Sequence, residues 1–394
     1  MILQDRKSGS DMPKVRGQHI TLGGNIISLG GPGAIESNLT TEPTADIDVR
    51  AEAELLLEGF TTYDGGNIHG AGTLHQIGNA SVIGNTTIAT TITDWDGNEA
   101  APSNTTIQPG ALFQITGSQI EDTPAPDGYD GTATVSDTAA LVVFTDAGLW
   151  RLDGTMTLLG QPVAVPQAIV DGSTLVNFGT IQGNGWFQMP VISEGTVSPG
   201  QSAGAIRFEQ DFTQGGSSIL DIEIGGLASI TQFDQITAGG SALIGGVLEL
   251  SLLNGFLPFM DHEFDIIRST NPVLGTFSSV LFPSLTGVGL GIRYDPNAVF
   301  VTAGLIGDLN GDGFVGIDDL NIVLAGWNGN VDAGVWGLGD PSGDGFVGIE
   351  DLNNVLGNWN AGTPPVEASD GVPEPASLLL LTAGGVACLH RHRG

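Results

Sequence analysis

The sequence predicts a mainly β protein, with a long glycine-rich β-solenoid or β-helix-like body followed by a small α-helical module. Glycine accounts for 61 of 394 residues, and charged residues for only 14%. From Ile20 to Gly304, short β-branched or aliphatic runs alternate with Gly, Asn, Asp and Pro turns, and no long amphipathic helix interrupts them. Composition changes near residues 305 and 361 divide the chain. We therefore expect an N-terminal segment of undecided structure (1–17), the body (18–304), the module (305–361), and a linker with a C-terminal tail (362–394).

Repeated strand–turn units predict the solenoid. The runs Gly179–Gly185 and Gly195–Gly200 resemble one another, and looser copies occur at 70–74 and 81–87. Between Leu220 and Ile224 apolar residues alternate with Asp221 and Glu223, which predicts a half-buried strand with both carboxylates facing outward.

The region from Gly179 to Phe277 resembles the repeat-containing passenger regions of autotransporter-like bacterial surface proteins, and this resemblance implies a parallel β-helix. A β-sandwich is the alternative for the last third of the body. It arises because Leu243–Leu250 and Phe264–Ile267 could be antiparallel neighbours.

The charge of the chain excludes nucleic acid as a partner. The formal net charge is −33, and four arginines are the only basic side chains between Arg50 and Arg391 apart from histidines. Such a surface cannot neutralise a row of phosphates. Cys388 is the single cysteine, which excludes an intramolecular disulfide and a cysteine-based zinc or iron–sulfur site.

Catalytic patterns in the body are weak, and we expect no catalytic residues. Ser202 lies in a G-x-S-x-G pattern followed by Asp234 and His262, the order found in α/β-hydrolases, but the flanking residues predict a turn rather than a strand and a helix. A solenoid turn is therefore the preferred interpretation.

Carboxylates define the alternative function, a polysaccharide-degrading enzyme of the glycoside hydrolase or lyase class. Asp221 and Glu223 could act as acid and base on a sugar, since alternate strand residues have about the required spacing of ~5–10 Å. Asp94 and Asp96 flank Trp95, but a full calcium-ligand spacing is missing there. Converging carboxylates around these residues would favour the enzyme.

A duplicated segment predicts two calcium sites. Residues 308–327 and 340–359 are identical at 14 of 20 positions. Calcium takes six to eight oxygen ligands from a tightly folded loop, with ligands at positions 1, 3, 5 and 12 and a peptide carbonyl at position 7. Gly313 and Gly345 occupy position 6, where the chain turns sharply. The predicted ligands are Asp308, Asn310, Asp312, the carbonyl of Phe314 and Asp319, then Asp340, Ser342, Asp344, the carbonyl of Phe346 and Asp351. Because Ser342 is a poorer ligand than Asn310, we expect tighter binding at the first loop.

Each loop precedes one predicted helix. Apolar residues recur at helical spacing after both loops, at Leu320, Val323, Leu324 and Trp327, and at Leu352, Val355, Leu356 and Trp359. Val315 and Val347 at position 8 are placed to join the two loops by a short β-bridge.

Two loop–helix copies with no entering helices resemble the dockerin family, which typically carries Asp at position 12, as Asp319 and Asp351 do here. The resemblance implies a secreted module that folds on calcium and docks onto a cohesin-like protein or another surface component. Ile317-Asp318 and Ile349-Glu350 depart from the small hydroxylic pairs of the family, which disfavours a cellulosome-type cohesin. The alternative is a structural cap on the body through Leu320, Leu352 and the tryptophans.

The C-terminal tail resembles a PEP-CTERM sorting signal. Val372-Pro373-Glu374-Pro375 precedes an apolar run within 376–389 and the basic end His390–Arg393. The apolar run is shorter than a stable membrane span of about 20 residues. The resemblance implies export, transient membrane association through 376–389, processing by an exosortase-type peptidase, and a cell-surface or extracellular location. Polysaccharide is a further candidate partner, because β-helices often bind long sugars. No signal peptide is visible in residues 1–20. We expect a truncated start, the alternative being a cytoplasmic protein.

Overall fold

The computed structural model describes four short strands between residues 14 and 35 and most of the chain from 39 to 365. Gaps in this second part fall at 52, 58–59, 77–78, 95–96, 99–100, 103, 109–110, 116–131, 137–138, 144–148 and 162–167. The expectations for the N-terminal residues, for Trp95 and Asp96, and for the tail from 366 onward lie outside the described residues.

Thirty-three strands account for most of the described chain. The first part contains β1 (Lys14–Val15), β2 (Ile20–Leu22), β3 (Asn25–Leu29), β4 (Gly33–Ile35), β5 (Leu39–Thr41), β6 (Asp46–Val49), β7 (Glu54–Leu57), β8 (Thr61–Gln76), β9 (Ala80–Asp94), β10 (Gly97–Asn98), β11 (Ala101–Pro102), β12 (Asn104–Ile107), β13 (Leu112–Ile115), β14 (Thr132–Ser136) and β15 (Ala140–Val143). The second part contains β16 (Leu149–Leu152), β17 (Thr155–Leu159), β18 (Ile169–Gly172), β19 (Thr174–Asn177), β20 (Thr180–Phe187), β21 (Val191–Ser193), β22 (Thr196–Pro199), β23 (Ala205–Phe208), β24 (Phe212–Gln214), β25 (Ile219–Ile224), β26 (Gln235–Ala238), β27 (Ala242–Ile244), β28 (Val247–Leu252), β29 (Glu263–Ser269), β30 (Val273–Gly275), β31 (Ser279–Leu281), β32 (Val288–Asp295) and β33 (Ala298–Leu305).

These strands form a three-sided parallel β-solenoid. Face A runs from β2 and β5 through β8, β9, β12, β14, β17, β20, β22, β25 and β28 to β31. Face B runs from β3 and β6 through β8, β9, β13, β15, β18, β20, β23 and β26 to β29. Face C is formed by β1, β4, β7 and the ends of β8 and β9, and later by β16, β19, β21, β24, β27 and β30. The predicted solenoid-like β body is confirmed.

Stacked apolar residues fill the interior. Along face A, register places residues of successive coils directly above one another, and all of them are buried: Met156, Ile181, Val197, Leu220, Leu248 and Val280. On face B the rings of Phe187 and Phe208 stack at 5.4 Å between centroids. Burial alternates along each strand, because successive side chains point to opposite faces of a sheet. In β25, Leu220, Ile222 and Ile224 face inward, as the alternation predicted.

The end of the body differs from the predicted β-sandwich alternative. Leu243–Leu250 and Phe264–Ile267 are not antiparallel neighbours. The first run divides at Gly246, whose φ is +61°, into β27 and β28, and both pair with strands of adjacent coils in parallel. At the last coil, antiparallel strands enter with β32 and β33, which form a hairpin against β29. The left-handed conformation of Gly246 lets the chain turn from face C to face A between β27 and β28.

Two helices follow the hairpin. Helix α1 spans Ile317–Gly326 and α2 spans Ile349–Gly357, with a short 3-10 turn at Trp336–Leu338 between them. Among the described residues no helix is long and apolar enough to cross a membrane. At the start of each helix, the carboxylate of Asp319 or Asp351 accepts the N–H of Gly316 or Gly348, which satisfies a donor that the helix leaves free.

The helices bury less apolar surface than their spacing predicted. Leu309, Val315, Val323, Val347 and Val355 form a small core, against which Leu320 and Leu352 pack in part. The other predicted apolar positions are exposed: Leu324, Trp327, Leu356 and Trp359. A cap through Leu320, Leu352 and these two tryptophans is therefore wrong, because the leucines pack inside the module and the tryptophans lie near helix ends in solvent.

Candidate metal centre

The first loop folds around two buried carboxylates. Asp308 accepts the main-chain N–H groups of Gly311 at 2.8 Å, Asp312 at 3.1 Å and Gly313 at 2.8 Å. Asp319, from the first turn of α1, accepts those of Leu309 at 2.7 Å and Asn310 at 3.1 Å. The main chain of the loop therefore wraps around the two side chains at positions 1 and 12 of the predicted ligand set.

The second loop repeats this arrangement with additional bonds. Asp340 accepts the N–H groups of Gly343 at 2.8 Å and Gly345 at 2.9 Å, together with the hydroxyl of Ser342 at 2.9 Å and the N–H of Gly334 at 3.0 Å. Asp351 accepts the N–H of Ser342 at 3.0 Å. Asp340 and Asp351 have 0% and 1% of their surface exposed.

Three carboxylates converge in the second loop. One oxygen from each of Asp340, Asp344 and Asp351 can be chosen so that all three lie within 4.8 Å of one another, the one such acidic group in the described part of the chain. The expectation of tighter calcium binding at the first loop, where Asn310 is a better ligand than Ser342, stays a prediction. The three gathered carboxylates instead favour tighter binding at the second loop.

Electrostatics in both loops favour a cation. Burial raises the pKa of Asp308, and the nearby Asp319 carboxylate raises it as well. Burial also raises the pKa of Asp351, with a further increase from Asp340. The sequence carries no basic residue between Arg293 and His390. Buried carboxylates without a positive partner are costly, so a bound cation would relieve this repulsion.

The donor chemistry fits calcium. All candidate ligands offer oxygen, which calcium prefers at six to eight positions. At position 7, the N–H groups of Phe314 and Phe346 donate to Asp312 and Asp344. Among the described residues, no hydrogen bond uses the carbonyl oxygen of either phenylalanine, which leaves both carbonyls free to bind an ion.

The two loops do not pair through Val315 and Val347, and that prediction is wrong. Val315 exchanges main-chain bonds with Asn360 and Ala361, at 3.0 Å each, after α2. Val347 bonds with Asn328 and Gly329, both at 2.9 Å, after α1. Each loop is therefore fastened to the segment that follows the helix of the other copy, because both valines are directed into the shared core rather than toward each other.

The hydrolase-like residues do not form a catalytic triad. Both carboxylate oxygens of buried Asp234 accept main-chain N–H groups, from Gly204 at 2.6 Å and Glu223 at 2.7 Å. Nδ1 of His262 accepts the N–H of Phe259 at 3.1 Å. Within residues 168–365, no hydrogen bond connects Ser202, Asp234 and His262. Burial raises the pKa of Asp234 to about 8, although its two N–H donors lower it.

The carboxylates proposed for sugar chemistry belong to a row on the outside of face A. Asp221 accepts the hydroxyl of Ser198 at 3.1 Å from the preceding coil, and Glu249 lies beside it on the next coil. Burial raises the pKa of Glu223, and Asp221 raises it further. The backbone of Asp94 ends β9, while its side chain and Asp96 lie outside the described residues.

Sequence reasoning missed the residues between the two copies. Gly334 donates to Asp340, and Ala333 and Trp336 are packed against the body. A tryptophan in a glycine-rich linker with no counterpart in either copy was the available signal. No protein-family model matches this chain, and no curated protein matches it.

Proposed function

We propose that residues 305–361 form a dockerin-type calcium module at the end of the β-solenoid of an exported bacterial surface or extracellular-matrix protein. The observation that carries the proposal is the pair of loops that bury Asp308, Asp319, Asp340 and Asp351 among main-chain N–H groups without a basic partner. Two bound calcium ions would supply the missing positive charge. Main-chain N–H groups hold the carboxylates in place, so binding requires little rearrangement of the loops.

Matched apolar side chains on the two helices support a docking role. Ile317 and Leu324 on α1 are 58% and 53% exposed, and Ile349 and Leu356 on α2 are 61% and 49% exposed. Contiguous apolar residues on a protein surface mark interaction sites. We propose that a cohesin-like protein binds the exposed apolar residues of α1 or the equivalent residues of α2. Export, sorting through the tail and cleavage by an exosortase-type peptidase belong to the same proposal.

Calorimetric calcium titration of the full chain tests the metal sites. We expect two binding events in the unaltered protein, because each loop carries a complete set of oxygen ligands. Asp312→Ala and Asp344→Ala each remove the exposed carboxylate at position 5 of one loop, and each variant should lose one event. Magnesium, which demands a smaller octahedral site, serves as the control ion. Absence of calcium binding in the unaltered protein would overturn the proposal.

A further inference from the structure

The second loop is attached to the last coil of the body by main-chain hydrogen bonds. The N–H of Val280, in β31, donates to the carbonyl of Gly343 at 2.6 Å. The N–H of Ile292, in β32, donates to the carbonyl of Gly334 at 2.8 Å. At the edge, the hydroxyl of Thr276 donates to Asp332 at 3.0 Å. The loop thus continues the bonding of the strands that end the solenoid.

Side chains before the second loop cover the same end of the body. Ala333 is fully buried and belongs to the core of the body rather than to that of the module. The Trp336 ring lies over three glycines of the terminal hairpin. A Cβ on Gly289, Gly291 or Gly304 would meet this ring at 2.9, 3.1 or 2.9 Å. Glycine at these positions allows the indole to lie flat on the hairpin, because any side chain there would displace it.

Among the described residues, the first loop makes no comparable contact with the last coil. Gly311 and Gly343 hold the same position in the two loops, with φ of +74° and +85°. A Cβ on Gly311 would meet nothing within 4 Å, whereas one on Gly343 would lie 2.6 Å from the carbonyl oxygen of Val280 and 2.7 Å from the Phe282 ring. Two loops of nearly identical sequence therefore have different environments, one open to solvent and one pressed against the body.

Asp340 connects the second loop to this contact. Its carboxylate accepts the N–H groups of Gly334 and Gly343, the two residues whose carbonyls accept bonds from β32 and β31. Within the described part of the chain, the N–H groups that the equivalent Asp308 accepts all come from its own loop, at Gly311, Asp312 and Gly313. A change in the position or charge of Asp340 is therefore transmitted through one residue to each of two body strands.

We propose that the second loop is a calcium-dependent clasp on the C-terminal end of the solenoid, while the first loop acts within the module alone. The inference rests on the proposed calcium function and assigns a second role to one of its two sites. Calcium at the second loop fixes Asp340, and Asp340 fixes Gly334 and Gly343 against β32 and β31. The outer faces of α1 and α2 remain exposed in this arrangement, so the clasp and partner docking do not compete for the same surface.

Hydrogen exchange of the full chain, resolved at the amides of Val280 and Ile292, measures the clasp directly. Calcium should slow exchange at both amides by about 5- to 150-fold, the usual range for coupling between two sites. Asp344→Ala should abolish this effect. Asp312→Ala, the matched change in the first loop, should leave it intact. Equal protection with and without calcium in a protein that binds two calcium ions would overturn the clasp and leave the calcium function standing.

A substitution in the body tests the same coupling from the other side. Coupling between two sites is equal in both directions. A substitution that weakens the contact with the body must therefore also weaken calcium binding at the second loop. Phe282→Ala removes a ring that packs against Gly334 and Gly343 but lies outside both calcium loops. We expect lower affinity at one site only, whereas Leu281→Ala, at an exposed neighbouring position, should change neither. Unchanged affinity at both sites in Phe282→Ala would contradict the clasp, and a protein that binds no calcium would overturn both proposals.

Discussion

Main-chain N–H groups, rather than basic side chains, surround most of the buried carboxylates in the described part of the chain. Asp234 in the body and Asp308 and Asp340 in the loops all follow this pattern. With so few basic residues, the chain pairs few of its buried acids with arginine: Asp265 pairs with Arg268, whereas the loops contain no basic residue. Buried polar groups must find hydrogen-bond partners, and the main chain of tight turns supplies donors. Asp234 uses these donors to fasten one turn, whereas the loop carboxylates keep further oxygen lone pairs for an ion.

Replacement of Asp234 tests this role in the body. Asp234→Ala leaves the N–H groups of Gly204 and Glu223 buried without an acceptor. A buried donor without a partner costs about 1–3 kcal/mol, so the free energy of unfolding should fall by at least that amount. Asp221→Ala is the control, since this residue lies on the outer face. Urea unfolding measures both variants, and equal midpoints would contradict the role assigned to Asp234.

The pKa of Asp234 predicts how its contribution changes with pH. Burial raises the pKa in the folded protein to about 8 from the ordinary value of 3.8. The folded state therefore holds the proton more tightly than the unfolded state, so this contribution is complete below about pH 4 and is lost as the pH rises to about 8. The difference in unfolding free energy between the native chain and Asp234→Ala should shrink over this range. A constant difference from pH 4 to 9 would refute the assignment.

At the scale of elements, close stacking of coils explains why glycine is abundant. Gly183 in β20 has a φ of +96°, and a Cβ there would lie 2.0 Å from the carbonyl oxygen of Leu158 in the coil below. Gly216 sits in a turn where a Cβ would meet nothing within 4 Å. The same residue type thus has different roles at the two positions, one required by the stack and one not.

The two glycines make a matched pair of substitutions. Gly183→Ala should destabilise the body by about 1–3 kcal/mol or more, because it forces both an unfavourable φ and a clash between coils. Gly216→Ala should stay within about 0.5 kcal/mol of the native chain, as ordinary surface changes do. Urea unfolding followed by circular dichroism measures the difference. Equal stability of the two variants would contradict the role of glycine in stacking.

Strands could be predicted from the sequence, but their partners could not. Alternation along Leu220–Ile224 sets the inward face locally, because the side-chain period of a strand is two. Pairing of β27 with β24 and β30 depends instead on how many residues each turn contains, and coils vary from 16 residues, as between Asn177 and Ser193, to 32, as between Gly246 and Ser278. Face C strands of three residues, such as Val191–Ser193, are too short for a periodic signal.

At the scale of the whole molecule, the loops could be predicted because their ligand positions are fixed along the chain, whereas their surroundings could not. Oxygens of Asp340, Asp344 and Asp351 can be chosen within 4.8 Å of one another, in keeping with their spacing, and their role as calcium ligands stays a prediction. The different environments of Gly311 and Gly343 could not be foreseen, since the two loops have almost the same sequence. The difference comes from the linker between the copies, where Ala333 and Trp336 attach the second loop to the body.

The covered end of the solenoid also predicts the assembly state of the protein. A solenoid whose last coil is uncovered presents unpaired strand edges and apolar surface to other molecules, and terminal caps prevent such end-to-end association. Ala333→Arg places a charge where the side chain is fully buried against the last coil, so the cap should lift and the protein should form dimers or larger species as its concentration rises. Leu338→Arg adds the same charge at a position that is 43% exposed, and this variant should keep the assembly state of the native chain, which we expect to be a monomer. Size-exclusion chromatography with light scattering separates these outcomes. If Ala333→Arg stays folded and monomeric at every concentration, the linker does not protect the end of the body, and the hairpin of β32 and β33 alone suffices to close it.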